Sequence, residues 1–210
     1  MKLSRLTRAA FLLVIFFALD KGLGLIRQVV IARQFGLSSE LDAFNVANNL
    51  PDLLFALISG GALAIAFIPI LTDVLTRQGQ PQAWKLFSNI ANLAFLVTAL
   101  LAIVVVLLAD ALVGWEVGIA PGFDAQQQHL VARLMQLNLI ATLIFSISGL
   151  VMAGLQTNQH FLLPAMAPIL YNLGQIFGAI ILAPEKGYTL AGVTLPAIGL
   201  GVHGLVYGVI

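Results

Sequence analysis

The chain has 210 residues, of which 60% are apolar and only 9% charged, with ten basic and nine acidic side chains. An ordinary soluble domain is roughly a quarter charged, so this balance and a mean hydropathy of +1.01 exclude a soluble globule, a disordered tail and a nucleic-acid binder. Cysteine is absent, which excludes disulfide frameworks and thiolate metal sites.

What remains is an all-α polytopic membrane protein. A helix needs about 20 apolar residues to cross the hydrocarbon core. Six stretches qualify, at about 9–34, 42–75, 86–109, 128–156, 161–183 and 191–210. Turn and polar residues separate them around Gly36, Gly79, Pro121, Asn158 and Pro184. A transmembrane β-barrel is excluded, because runs such as 100–108 do not alternate.

The first stretch follows Lys2, Arg5 and Arg8. It is not a secretory signal, since no small-x-small cleavage site follows and Asp20-Lys21 interrupts it. At 100° per residue, Asp20, Lys21, Gly24, Arg27 and Gln28 fall within about 120° of one another. The second stretch carries a similar stripe of Asp42, Asn45, Asn48, Asn49 and Asp52. Each charge near the middle of a span costs about 2.5–3.5 kcal/mol, against about 0.3–0.6 returned by each large apolar residue. The first span is therefore comfortable only if its stripe faces other helices or a water-filled cavity.

Simpler readings stand beside that one. Arg27 is near enough to the far end of its span to snorkel. Asp42 has the place of a first-turn carboxylate behind an N-cap at Ser39. Lys21 has Asp20 and Asp52 as candidate partners. Asp52 follows Pro51, a kink that fits either a cavity-lining helix or plain packing.

Later spans are less polar. Arg133, Gln136 and Asn138 lie near one end of the fourth. Pro164, Pro168, Asn172 and Gln175 punctuate the fifth, where amides serve as interhelical glue and Gly174-x-x-x-Gly178 permits close approach. Gly60-Gly61-Ala62 reads the same way. The sequence ends at Ile210 within an apolar run, which leads us to expect a truncated chain holding an N-terminal part. The cations Lys2, Arg5, Arg8, Arg77 and Lys85 share one side and the acidic loops the other, so the N-terminus is expected in the cytoplasm. His129, His160 and His203 have no metal-binding spacing, and no nucleophile elbow or P-loop is present. Neither an enzyme nor a cofactor is expected.

Several motifs occur in a fixed order. They are Lys21-Gly22-Leu23-Gly24-Leu25-Ile26-Arg27, Ala32-Arg33-Gln34-Phe35-Gly36, Asp42-Ala43-Phe44, Leu50-Pro51-Asp52-Leu53-Leu54, Gly61-Ala62 and Ala66-Phe67-Ile68-Pro69. Ala120-Pro121-Gly122-Phe123 follows, and then the run from Pro164 to Asn172. Together they closely resemble the opening of the MurJ/MviN family, the lipid II flippases of the multidrug/oligosaccharidyl-lipid/polysaccharide exporter superfamily. The resemblance implies a two-lobed carrier with a central cationic cavity, of which this chain is one lobe of six transmembrane helices. The partner is then a lipid-linked glycan diphosphate, moved across a bacterial cytoplasmic membrane among membrane lipids. The other wall of the cavity comes from a missing C-terminal lobe or a second copy.

Arg27 matches a cavity arginine of that family, Lys21 stands where the family has another, and Asp42 matches the acid of its D-A-F element. Gln28, Asp52, Phe55 and Gly60 depart from the family's Asp, Asn, Arg and Glu. The expected substrate-binding residues are Lys21, Gly24, Arg27, Asp42, Asn49 and Asp52, with the cations gripping diphosphate by charge. Two alternatives stay open: a flippase for another lipid-linked oligosaccharide, and a non-transporting scaffold for cell-wall enzymes.

Overall fold

The computed structural model describes residues 5–57, 62–158, 160–187, 189–190 and 193–210. Lys2 and the Gly60-Gly61 pair singled out above lie outside the described residues. The chain is helical: α1 Arg5–Phe35, α2 Ser39–Phe55, α3 Ala62–Gln78, α4 Gln80–Gly114, α5 Ala125–Thr157 and α6 Leu162–Phe177. A π-helical turn at Gly178–Leu182 extends α6. A short antiparallel ladder pairs β1 Thr189–Leu190 with β2 Val193–Thr194, and α7 spans His203–Tyr207. Among the described residues, three helices are long and apolar enough to cross a membrane: Gln80–Gly114, Ala125–Thr157 and Leu162–Leu182.

The helix ends have local causes. Gly36 takes φ +60° after α1, where its N–H donates to Ala32 O at 2.9 Å. Before α4, Gly79 takes φ +85° and Pro81 occupies the first turn, where no intrahelical N–H is needed. Asp124 caps α5 by accepting from the Gln127 N–H at 2.8 Å, and the Gln127 side chain returns the bond. The cap of α2 is Ser38 rather than Ser39: its hydroxyl oxygen accepts from the Leu41 N–H at 3.2 Å.

Two of the expected spans are not unbroken helices among the described residues. Within 42–75, α2 ends at Phe55 and α3 begins at Ala62, with residues 58–61 outside the described residues. Residues 191–210 are not a spanning helix either. Pro196 disfavours helix at Leu195, and Gly199 and Gly201 take φ +78° and +55°, so the helix in the described part of this stretch is confined to the five residues of α7.

The chain divides into two compact units, Asp42–His160 and Met1–Leu41 with Phe161–Ile210. In the first, α4 lies along α5 with α3 against both. Small residues on α4, Ala94, Thr98, Ala102 and Ala109, are buried and admit the larger Leu134, Met135, Leu139 and Leu150 of α5. Phe67, Leu71, Ala83, Leu150 and Ala153 form a core at one end. In the second unit α1 packs along α6. There Gly174 and Gly178 meet Gly208 and Gly204 backbone to backbone, so two glycine pairs of the same spacing face each other.

Candidate functional site

The α1 stripe lies in the second unit, where its residues divide between two environments. Asp20, Gly24 and Arg27 turn toward α6, because they recur every three or four residues and so share one side of the helix. Asp20 accepts a hydrogen bond from Asn172 Nδ2, its Oδ1 2.8 Å away. Gly24 lies opposite the same amide, and a Cβ there would stand 3.9 Å from Asn172 Oδ1. The Arg27 guanidinium rests over the Tyr171 ring, 5.8 Å from its centroid, and its Nε is buried without a hydrogen-bond partner. Gln175 Nε2 donates to the Tyr171 hydroxyl at 3.2 Å. Asn172 and Gln175 are themselves 5% exposed, whereas Tyr171 is exposed.

Lys21 points elsewhere. Its side chain is 66% exposed, and its ammonium stands 3.2 Å from Asp20 Oδ2 and 5.0 Å from the centroid of the Phe17 ring. Of the two carboxylates considered as its partner, Asp20 is the one in contact. Gln28 is exposed beside it.

The α2 stripe belongs to the other unit, and it too is split. Ala43, Phe44, Ala47, Pro51 and Leu54 are buried. Asp42, Asn45, Asn49 and Asp52 are exposed at spacings of three and four, which is one face of a helix. Asn48 leaves that face. It accepts from Asn138 Nδ2 of α5 at 2.7 Å and donates to Phe44 O at 3.0 Å. Phe55, where the related family has a cation, packs edge-on against Phe145 at 6.3 Å between centroids.

Three residues of α6, Tyr171, Asn172 and Gln175, thus join the α1 stripe, although the sequence marked Asn172 and Gln175 only as interhelical glue. The available signal was the four-residue spacing of Tyr171 and Gln175, which puts both on one face. At the far end of α4 and α5, His129 lies 3.6 Å from Asp110 and accepts from Arg133 Nε at 3.2 Å. Among the described residues no cluster of His, Asp and Glu has metal-binding geometry.

Physically, α1 offers a guanidinium with an unspent donor on its α6 side and, turned away from it, an exposed ammonium held by a fixed carboxylate. The two cations suit an anion with several oxygens, which the carboxylate opposes.

The family model described as "Lipid II flippase MurJ" matches residues 31–210. The lipid II flippase MurJ of Burkholderia cenocepacia is 35% identical over 173 residues, covering 81% of this chain and 33% of the relative. A probable lipid II flippase MurJ of Rhizobium tropici is 30% identical over 155 residues, 73% of this chain and 29% of the relative. A probable lipid II flippase MurJ of Vibrio cholerae is 25% identical over 209 residues, 96% of this chain and 39% of the relative. The chain spans about a third of the length of these curated relatives.

Proposed function

The chain belongs to the MurJ family of lipid II flippases, and from that premise we propose that it handles substrate in a carrier for lipid II. The carrier moves the lipid-linked glycan diphosphate from the inner to the outer leaflet of a bacterial cytoplasmic membrane.

Arg27 carries this reading. A guanidinium within a membrane helix is costly to keep, and a buried donor without a partner adds to the cost. A diphosphate oxygen removes that penalty through a short charge-assisted bond. The Tyr171 ring lies 5.8 Å from the guanidinium carbon, within reach of a cation–π contact. Lys21 supplies a second cation from the same helix, about 9 Å along the axis, and Gly24 lies between the two.

Movement follows the alternating-access scheme of two helical bodies rocking about a polar passage. The second body is a further lobe or a second copy of this chain. The lipid tail stays in the bilayer while the headgroup crosses. We assign a cytoplasmic N-terminus, with α2 and α3 together making one crossing, so that the α3–α4 connection is also cytoplasmic. Depletion of the protein in its host is expected to leave labelled lipid II inaccessible to a hydrolase added outside the cytoplasmic membrane. Unchanged accessibility on depletion sinks the proposal and favours the scaffold reading.

A further inference from the structure

Asp20 precedes Lys21 in α1, and its two carboxylate oxygens are engaged differently. Oδ1 accepts from Asn172 Nδ2 at 2.8 Å, while Oδ2 stands 3.2 Å from Lys21 Nζ. Neighbours in a helix point about 100° apart and do not face each other. The pair therefore forms because the flexible lysine stem folds back, past the Phe17 ring. Burial is unequal too: the Asp20 side chain is 16% exposed and that of Lys21 66%. The carboxylate is the fixed member, held from α6, and the ammonium is the one free to swing.

We propose that Asp20 is a positioning residue that parks the Lys21 ammonium in the empty site and competes with an arriving diphosphate for it. The inference rests on the reading that Lys21 contacts the diphosphate. A carrier must release what it binds, and an internal carboxylate that takes the cation back favours release. It lowers affinity by the strength of the Asp20–Lys21 pair, which exposure of the lysine keeps small.

Binding to the purified full chain in lipid nanodiscs tests this, with undecaprenyl diphosphate in the bilayer as one probe and inorganic pyrophosphate as the other. Asp20→Asn keeps an oxygen for Asn172 and removes only the charge. It is expected to tighten binding about two- to fivefold with an unchanged melting temperature, whereas Asp20→Ala lowers that temperature. Asp20→Ser also keeps an acceptor without charge, and gives the same tightening if the asparagine variant folds poorly. In a Lys21→Met background the tightening disappears.

Tightening of both probes assigns the effect to the shared diphosphate. Tightening of the lipid alone assigns it to the membrane-anchored form. Unchanged or weaker binding of both in the presence of Lys21, or equal tightening without Lys21, overturns the inference. Should Lys21→Met leave the parent affinity intact, the assignment of Lys21 to the substrate fails instead.

Discussion

Arg27 and Lys21 are both cations on α1, yet their surroundings ask different things of them. Arg27 has its Nε buried and its guanidinium over the Tyr171 ring, so it has less freedom than Lys21 and its fork is the useful feature. Lysine cannot reproduce that fork. Arg27→Lys is therefore expected to lower flipping by about tenfold or more, the worth of a lost charge-assisted bond. Lys21 is exposed, with a point charge on a mobile stem, so Lys21→Arg is expected to retain most activity. Rates of lipid II appearance in the outer leaflet, normalised to protein abundance, check both. Equal loss from the two conservative changes contradicts the distinction.

At the scale of elements, the contact that ties α2 to α5 is an amide pair. Asn138, buried in α5, donates to Asn48. Asn138→Leu and Asn48→Leu are each expected to destabilise the protein, with a coupling of about 0.6–1.7 kcal/mol in a double-mutant cycle, as for other hydrogen bonds between membrane helices. Reversible unfolding in mixed micelles measures it, and zero coupling removes the pair from the account. At the glycine contact, an added Cβ on Gly204 would stand 2.6 Å from Ala183 N. Gly204→Ala is expected to cost about 1–3 kcal/mol by overpacking, read from the same unfolding experiment.

These two contacts also mark what sequence reading reaches. Gly36, Gly79-x-Pro81 and Asp124 announce helix ends because their effects are local: a left-handed φ, a missing N–H and a side-chain cap. The glycine spacing on α6 was visible, but its partners Gly204 and Gly208 lie far along the chain, in a segment that reads as a spanning helix by hydropathy alone. Pro196, Gly199 and Gly201 carry the information that hydropathy averages away. Likewise the α1 stripe was legible as a periodic pattern of charge. The seam that Tyr171, Asn172 and Gln175 build onto it depends on which helix α1 packs against, and no local rule encodes that. The division of the α2 stripe, with Asn48 turned to α5 and its neighbours exposed, was hidden for the same reason.

For the whole molecule, the sides of the membrane are the first thing to establish. On the proposed topology, the cations near the start of the chain and around Arg77 and Lys85 put the N-terminus and the α3–α4 connection in the cytoplasm. Single cysteines at Gln80 and Phe123 check this, since the chain has no cysteine of its own. An impermeant maleimide added to intact spheroplasts is expected to label position 123 and spare position 80. The reverse pattern inverts the topology.

The central claim is that cations on α1 carry an anionic headgroup across the membrane. The most direct measurement is outer-leaflet lipid II accessibility in cells whose chromosomal copy carries Arg27→Ala or Lys21→Ala. Each change is expected to reduce the flipping rate by about tenfold or more while the protein remains in the membrane at normal abundance. Full flipping by both variants contradicts the cationic mechanism and leaves Arg27 as a residue that merely reaches for the membrane surface.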